Sequence, residues 1–396
     1  MKKYCFLLIS AIMILSSCEE KDDAIVVETL PPVDFSLAVD ISTKTLCEYF
    51  WNDNRQYFNS ATNTDNWENN YWPQAHALDV LTDAYLRTGD NTYLYYFNNW
   101  LDGVRRANGG RWTNPYIDDM QWIALAAFRA YKATGKDAFL DLCWQVWEGD
   151  DRWPPSDLAG RAGIRNAWTE GAKNGYGGFF WNAANEWRLS KNACSNAPAA
   201  IFTAWLYNEF NTEEYREWAL KIYEWQKDYL FNPITGAVGD ALDASDMSVT
   251  WSSNFTYNQG TFLGAALELY KITGERSYLS DACKAADFTM NSLSNTTDQL
   301  LRNEGSGDGA LFKGIFVRYF VKLIMQNDLN ERDRSRYIRF LKHNGETLWR
   351  EGLSPDFLIG PYWKEKPQLH TGLNEQLSGC MLFEALAMLQ EKGYFE

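Results

Sequence analysis

Apolar residues recur with a helical period over most of the chain, and polar or glycine-containing breaks separate the stretches that carry it. At 3.6 residues per turn the pattern predicts helices over 36–52, 73–88, 91–107, 118–134, 137–149, 196–210, 213–230, 257–273, 276–292, 309–327, 332–350 and 374–391. Three junctions share one pattern. Tyr85-x-x-Thr88-Gly89 precedes Tyr93-Leu94, Tyr131-x-x-Thr134-Gly135 precedes Phe139-Leu140, and Tyr270-x-x-Thr273-Gly274 precedes Tyr278-Leu279. Each glycine is a left-handed helix stop. A charged residue follows it (Asp90, Lys136, Glu275), and an aromatic–Leu pair opens the next helix. Tyr207 with Asn211-Thr212 and Tyr215 reads as a degenerate fourth copy. Each unit is a helical hairpin that cannot bury its apolar face alone. The expectation is an all-α fold of six hairpins, closed as an (α/α)6 barrel with an inner and an outer ring. An open solenoid of hairpins is the alternative, but irregular spacing and long loops fit the closed form better. Strand signals are sparse; 178–181 and 236–238 are expected as short strands within loops.

The long connections are expected at 53–72, 108–117, 150–195, 231–256 and 351–373, on the side faced by one end of the inner helices. They are rich in aromatics: Trp67, Tyr71, Trp72, Trp112, Trp153, Trp168, Tyr176, Trp181, Trp251, Tyr362 and Trp363. A large helical core also consumes aromatic residues, and for any single one that explanation is preferred. Clustered in loops, they suit the C–H faces of sugar rings, with polar groups left to meet hydroxyls.

Composition removes several classes. The formal net charge is −15 and no basic stretch occurs, which argues against nucleic acid and against a polyanionic substrate. Cys47, Cys143, Cys194, Cys283 and Cys380 are widely spaced and fall mostly in apolar patterns, so buried free thiols are expected. The histidines, His76, His343 and His370, have no metal-ligand spacing and leave little room for a Ser-His-Asp triad; no metal and no cofactor is expected. Gly305-Ser306-Gly307-Asp308-Gly309 lacks the preceding strand of a dinucleotide fingerprint and reads as a loop before a helix. The N-terminus has a basic start (Lys2, Lys3) and an apolar run too short to span a bilayer as a mature helix. It ends in Leu15-Ser16-Ser17-Cys18, which resembles a bacterial lipobox. That resemblance implies a signal peptide over 1–17, a lipidated Cys18 and an acidic tether over 18–34, ahead of a domain over 35–396. The acidic cluster after Cys18 resembles the surface-export signal of some Gram-negative lipoproteins, so the expected location is the outer membrane, facing the cell surface.

The candidate chemistry lies in Asn114-Pro115-Tyr116-Ile117-Asp118-Asp119-Met120-Gln121-Trp122. Proline disfavours helix at its predecessor, so the two acids fall in the opening turn of a helix, where unpaired N–H groups and the dipole favour negative charge. One carboxylate there stays ionised easily. Its twin, beside a like charge and near Tyr116 and Trp122, holds a proton longer. Two acids of divided proton affinity in one cleft are what hydrolysis of a glycosidic bond needs. Helix capping accounts for such a pair equally well when it is taken alone.

The same segment resembles the signature of glycoside hydrolase family 76, the endo-α-1,6-mannanases. Tyr71-Trp72-Pro73-Gln74, Gly177-Gly178-Phe179-Phe180-Trp181-Asn182, Thr256-Tyr257-Asn258-Gln259-Gly260 and Phe312-Lys313-Gly314-Ile315-Phe316-Val317-Arg318 match that family's usual segments in order. The resemblance implies an (α/α)6 barrel and retaining hydrolysis inside α-1,6-mannan backbones, with Asp118 as nucleophile and Asp119 as acid/base. The expected substrate-binding residues are Trp72, Gln74, Asn114, Tyr116, Trp122, Trp181, Asp240, Tyr257 and Gln259. Ala241 departs from the Asp-Gly usual after Asp240, which keeps Asp243 as a rival. The expected partners are a polysaccharide and, through Cys18, a membrane; the chain is expected to act as a monomer. A non-catalytic surface glycan binder is one alternative. An exo-mannosidase or an unsaturated uronyl hydrolase on the same barrel is the other, although the loops are poor in the cations a uronate would want.

Overall fold

The computed structural model describes residues 31–67, 70–149, 163–171, 175–183, 189–368 and 370–396; the expected signal peptide and Cys18 lie outside the described residues. Twelve α-helices occur among them: α1 (Phe35–Phe50), α2 (Tyr71–Thr88), α3 (Tyr93–Ala107), α4 (Ile117–Thr134), α5 (Asp137–Glu148), α6 (Ala197–Phe210), α7 (Glu213–Leu230), α8 (Thr256–Thr273), α9 (Arg276–Ser292), α10 (Asp308–Ile324), α11 (Glu331–Thr347) and α12 (Leu373–Glu391). The even-numbered helices pack side by side in a closed sequence, α2 on α4, α4 on α6, α6 on α8, α8 on α10, α10 on α12, and α12 back on α2. Each outer helix packs on an inner one, α1 against α12, α5 against α4, α7 against α6 and α9 against α8. This is the (α/α)6 barrel.

The sequence decides which ring a helix joins. An inner helix meets neighbours on nearly every side, so it must be apolar or small all round: α12 buries Leu373 to Leu389 with hardly a gap. The outer α3 buries only the stripe Phe97, Trp100, Gly103 and Val104. Where inner helices come closest, glycine is required. A Cβ on Gly260 would lie 2.5 Å from the Phe316 Cα, and one on Gly314 would lie 2.7 Å from the Ser378 Cα, backbone atoms that cannot move aside. Gly314→Ala is therefore expected to cost about 1–3 kcal/mol by forcing α10 from α12, read as a lowered thermal midpoint; an unchanged midpoint would show the contact is looser.

The Tyr-x-x-Thr-Gly repeat is the short turn from inner to outer helix. Gly89, Gly135 and Gly274 are left-handed, and each N–H donates to the carbonyl of the repeat's tyrosine, Tyr85, Tyr131 or Tyr270. The threonine hydroxyl accepts the N–H two residues on, at Asp90, Lys136 and Glu275. Asn211 (φ 50°) makes the same turn onto Tyr207, so the degenerate copy is structurally a true one.

The opposite end is built from the long connections, which also hold the strands. Antiparallel β1 (Trp51–Asn52) and β2 (Tyr57–Phe58) follow α1, and antiparallel β3 (Trp168–Gly171) and β4 (Gly175–Phe179) follow α5. β5 (Ser190–Asn192) pairs with β6 (Ala241–Asp243) in register Lys191–Leu242, and β6 with β7 (Ser248–Val249), tying the connection before α6 to the one before α8. The strand expected over 236–238 is a single bridge between Val238 and Phe231. The 293–307 connection, not foreseen as a long loop, carries Glu304, whose carboxylate accepts the Thr256 N–H at the start of α8.

Candidate active site

The two aspartates open α4, an inner helix, and the chain reaches them in a fixed way. Asn114 Oδ1 accepts the Tyr116 N–H at 3.0 Å, and Tyr116 is extended. Trp181 O accepts from Ile117 N at 2.9 Å and Pro115 O from Ala183 N at 2.8 Å, locking this segment to the connection that follows β4. Tyr116 occupies the cap position and makes no side-chain cap bond, so the acids lie inside the first turn rather than at the cap. Both are half-buried.

Their surroundings divide their proton affinities. Burial raises the Asp118 carboxyl to about 6, partly offset by the Cys194 thiol, the first-turn N–H groups of Asp119 and Asp118, and the Trp181 side chain. The Cys194 S–H donates to Asp118 Oδ2 at 3.2 Å. Asp119 is raised well above the usual carboxylate range by burial, then by the negative charges of Asp118 and Asp308. The division foreseen from the sequence is present, with the pressure on Asp119 coming first from burial and then from the carboxylates of Asp118 and Asp308. The pair titrates as a unit, with Asp118 the readier of the two to ionise and Asp119 holding its proton longer.

Around the pair, Trp72 Nε1 donates to Asp308 Oδ1 at 3.0 Å, where α10 begins. Tyr257 lies flat on Phe312, with centroids 4.0 Å apart and planes at 11°. Tyr116 meets the Trp181 ring edge-on at 5.3 Å, and 39% of it is exposed. Asn258 Nδ2 donates to Asp240 Oδ1 at 2.9 Å. The fields of Asp240 and Asp118 both act on Tyr257 and on Cys194, which brings α4, α8 and the connections before α6 and α8 together at one place. The rival Asp243 is exposed and accepts the Ser245 N–H in a surface turn.

Three residues expected to touch substrate sit differently. Gln74 is fully buried and clamps the Phe58 backbone, its Oε1 accepting the N–H at 3.0 Å and its Nε2 donating to the carbonyl at 2.7 Å. Gln259 clamps Val238 in the same way, at 3.2 and 3.1 Å. Fully buried and with each amide atom bonded to a backbone group, these glutamines brace the connections. Asn196 repeats the device on Phe179. Trp122 is only 3% exposed, with its ring against His76 and Trp72, and supports the floor rather than a sugar. Sequence reasoning did not select Cys194, Asn258, Asp308 or Phe312. Asp308 was signalled by its place at the start of a helix after a glycine-rich loop, as Phe312 was by its matching segment.

Deeper along the barrel, burial pushes His76 down to about 3, so it is neutral. Below it Arg129 Nη1 meets Asp79 at 2.5 Å and its Nη2 meets Asp83, while Arg318 Nη1 lies 3.0 Å from Asp83. A cavity of about 260 Å³ adjoins this network, lined by Asp83, Arg129, Arg318 and Glu384 among others. Neither catalytic candidate lines it, and its arginines, Arg129 and Arg318, are engaged with structural carboxylates. Chemistry, not volume, picks out the Asp118–Asp119 end. No cluster able to hold a metal ion occurs among the described residues.

Comparison with known proteins identifies the family. The model of Glycosyl hydrolase family 76 matches residues 36–396. The GH76A alpha-1,6-mannanase from Salegentibacter sp. HEL1_6 is 38% identical and superimposes with a TM-score of 0.81, covering 90% of this chain and 100% of that one. A variant of that enzyme with two consecutive aspartates replaced by alanine is inactive and is seen in complex with alpha-1,6-mannotetrose. The Lin0763 protein of Listeria innocua is 35% identical with a TM-score of 0.78, covering 91% of this chain and 99% of that one. A shorter match, 31% identical over 99 residues and covering 24% of this chain and 21% of the other, is to a mannan endo-1,6-alpha-mannosidase of Saccharomyces cerevisiae.

Proposed function

Since this chain belongs to glycosyl hydrolase family 76, we propose that it hydrolyses α-1,6-mannosidic bonds inside mannan backbones with retention of configuration. The observation that carries the reading is the Asp118–Asp119 pair, adjacent and unequally basic where the inner helices begin. Ionised Asp118 attacks the anomeric carbon while Asp119 passes its proton to the departing glycosidic oxygen. Asp119, now ionised, takes a proton from water, and the hydroxide releases the glycosyl ester from Asp118. Asp240, steadied by Asn258, and Tyr257 hold the cleaved sugar; Trp72, Tyr116 and Trp181 offer faces to its neighbours, and Asn114 holds the approach to α4.

Unbranched α-1,6-mannan is the substrate to try. Reducing ends should appear as a ladder of oligosaccharides that shortens with time. Mannose alone from the first minutes would replace the endo reading with an exo one, and binding without reducing ends would leave a glycan-binding protein.

Activity should follow a bell in pH. The rate on the acid side rises as Asp118 ionises, at about 6, and falls on the alkaline side as Asp119 loses its proton, well above the usual carboxylate range. The profile of kcat/KM checks this; a plateau reaching down to about pH 4, the ordinary aspartate value, would show that Asp118 is not raised.

We place the enzyme on the outer membrane as a monomer, anchored through Cys18 by its tether and facing the cell surface, a reading supported by the lipobox-like Leu15-Ser16-Ser17-Cys18 and the acidic residues after it. Radiolabelled palmitate should enter the native protein and not Cys18→Ala; equal labelling would remove the anchor.

A further inference from the structure

Cys194 is 2% exposed and lies in the one-turn helix Ala193–Ser195 that closes the connection before α6. The Ala193 N–H donates to the Asp240 carbonyl at 2.8 Å, which fixes the turn beside the site. From there the thiol reaches in two directions. Its S–H donates to Asp118 Oδ2 at 3.2 Å, and Tyr257 stands close enough to act on the sulfur. The thiol thus joins Asp118 of α4 to the surroundings of Tyr257 on α8, from a side chain on neither helix.

We propose that Cys194 is a positioning residue for Asp118, its thiol steering one carboxylate oxygen and favouring the ionised, attacking form. This rests on Asp118 being the nucleophile. The other oxygen, Oδ1, is buried without a hydrogen-bond partner among the described residues, and of the groups that favour the ionised carboxylate the thiol stands ahead of the first-turn N–H groups and the Trp181 side chain. The sulfur does not compete as a nucleophile. Burial and the charges of Asp118 and Asp240 push it well above the usual thiol range, and it stays S–H. The Tyr257 ring, which acts on that sulfur, is held flat on Phe312, so this side of the thiol is fixed before substrate arrives. The other titratable groups facing this centre are Asp119 beside it, Asp240 on the connection before α8, Tyr257 on α8 and, acting on Asp119, Asp308 on α10. A thiol is a weak donor, so the effect is a tuning of Asp118 and not the whole of its activation.

The test is the pH profile of kcat/KM on unbranched α-1,6-mannan for the full chain, Cys194→Ala and Cys194→Ser, beside their thermal midpoints. Cys194→Ala is expected to move the acid limb up by about half a pH unit and to lower the rate several-fold below that limb. Cys194→Ser, which keeps a donor, should recover most of the shift, and neither midpoint should explain it. An unmoved limb in Cys194→Ala would overturn the proposal, and so would equal shifts in alanine and serine, which indicate packing. Asp118→Ala separates the two levels: if it is inactive while Cys194→Ala has an unmoved limb, only the role of the thiol fails. A fully active Asp118→Ala removes the nucleophile beneath it.

Discussion

Asp118→Ala is expected to lower turnover of α-1,6-mannan by about 10⁴-fold or more, because no second group can form the glycosyl ester and the remaining binding energy cannot replace a bond. Asp119→Ala should behave differently. Loss of a general acid costs about 10²–10⁴-fold, and the loss depends on how much the leaving group needs a proton. On an aryl mannoside with a good leaving group the first step should proceed nearly normally in Asp119→Ala and stall at the ester, and azide, which needs no base, should release it. In Asp118→Ala, which forms no ester, azide can only displace the aryl group directly, so the glycosyl azide should have inverted configuration, against retained configuration from Asp119→Ala. The two variants separate the roles that burial and mutual repulsion assign, since Asp118 has donors to favour its charge whereas Asp119 faces Asp118 and Asp308. Equal behaviour on both substrates would mean that the division of labour is wrong even if both acids matter.

The second large effect concerns stability. Arg129 holds Asp79 and Asp83 of α2 from α4, and Arg318 of α10 reaches Asp83 as well, so one buried set of charges ties three inner helices. Removing one partner from such a set strands charge in a poorly solvated place. Arg129→Met should cost about 3–5 kcal/mol, read by denaturant or thermal unfolding. Burial raises the Asp79 carboxyl, but Arg318 and Arg129 more than offset this and hold it below its ordinary value. A depressed carboxyl contributes stability that is present above its unfolded value and lost as pH falls through the folded one. The gap between native and Arg129→Met should therefore narrow in strong acid, and a loss under about 1 kcal/mol at neutral pH would show that Arg318 alone can balance both acids.

Much of the fold was readable because barrel helices announce their ends. The turns at Gly89, Gly135 and Gly274 need a left-handed residue, a threonine acceptor and a tyrosine carbonyl in fixed order, and that requirement stays visible as a motif. Reading the site was harder, for a chemical reason. An amide such as Gln74 or Gln259 offers the same donor and acceptor to a sugar hydroxyl or to a backbone peptide, so residue type cannot separate a ligand contact from a brace. Trp122 failed likewise, since a ring beneath the floor and a ring upon it occupy the same helical stripe. Cys194 gave no signal, as one cysteine carries no spacing; only folding brings it to Asp118, 76 positions away. Asp118 and Asp119 were readable because the segment that holds them resembles the family's signature; as a pair in a first turn, like Glu213-Glu214, they would have passed for helix-end chemistry.

The anomeric form of the first product, followed by proton NMR as mannan is cleaved, tests the account most directly. If Asp118 forms a bond to the sugar that water then replaces, two inversions occur and the α-anomer must appear first, with the β-anomer growing only by mutarotation. Initial release of the β-anomer would mean a single displacement by water, and the central role given to Asp118 would be wrong.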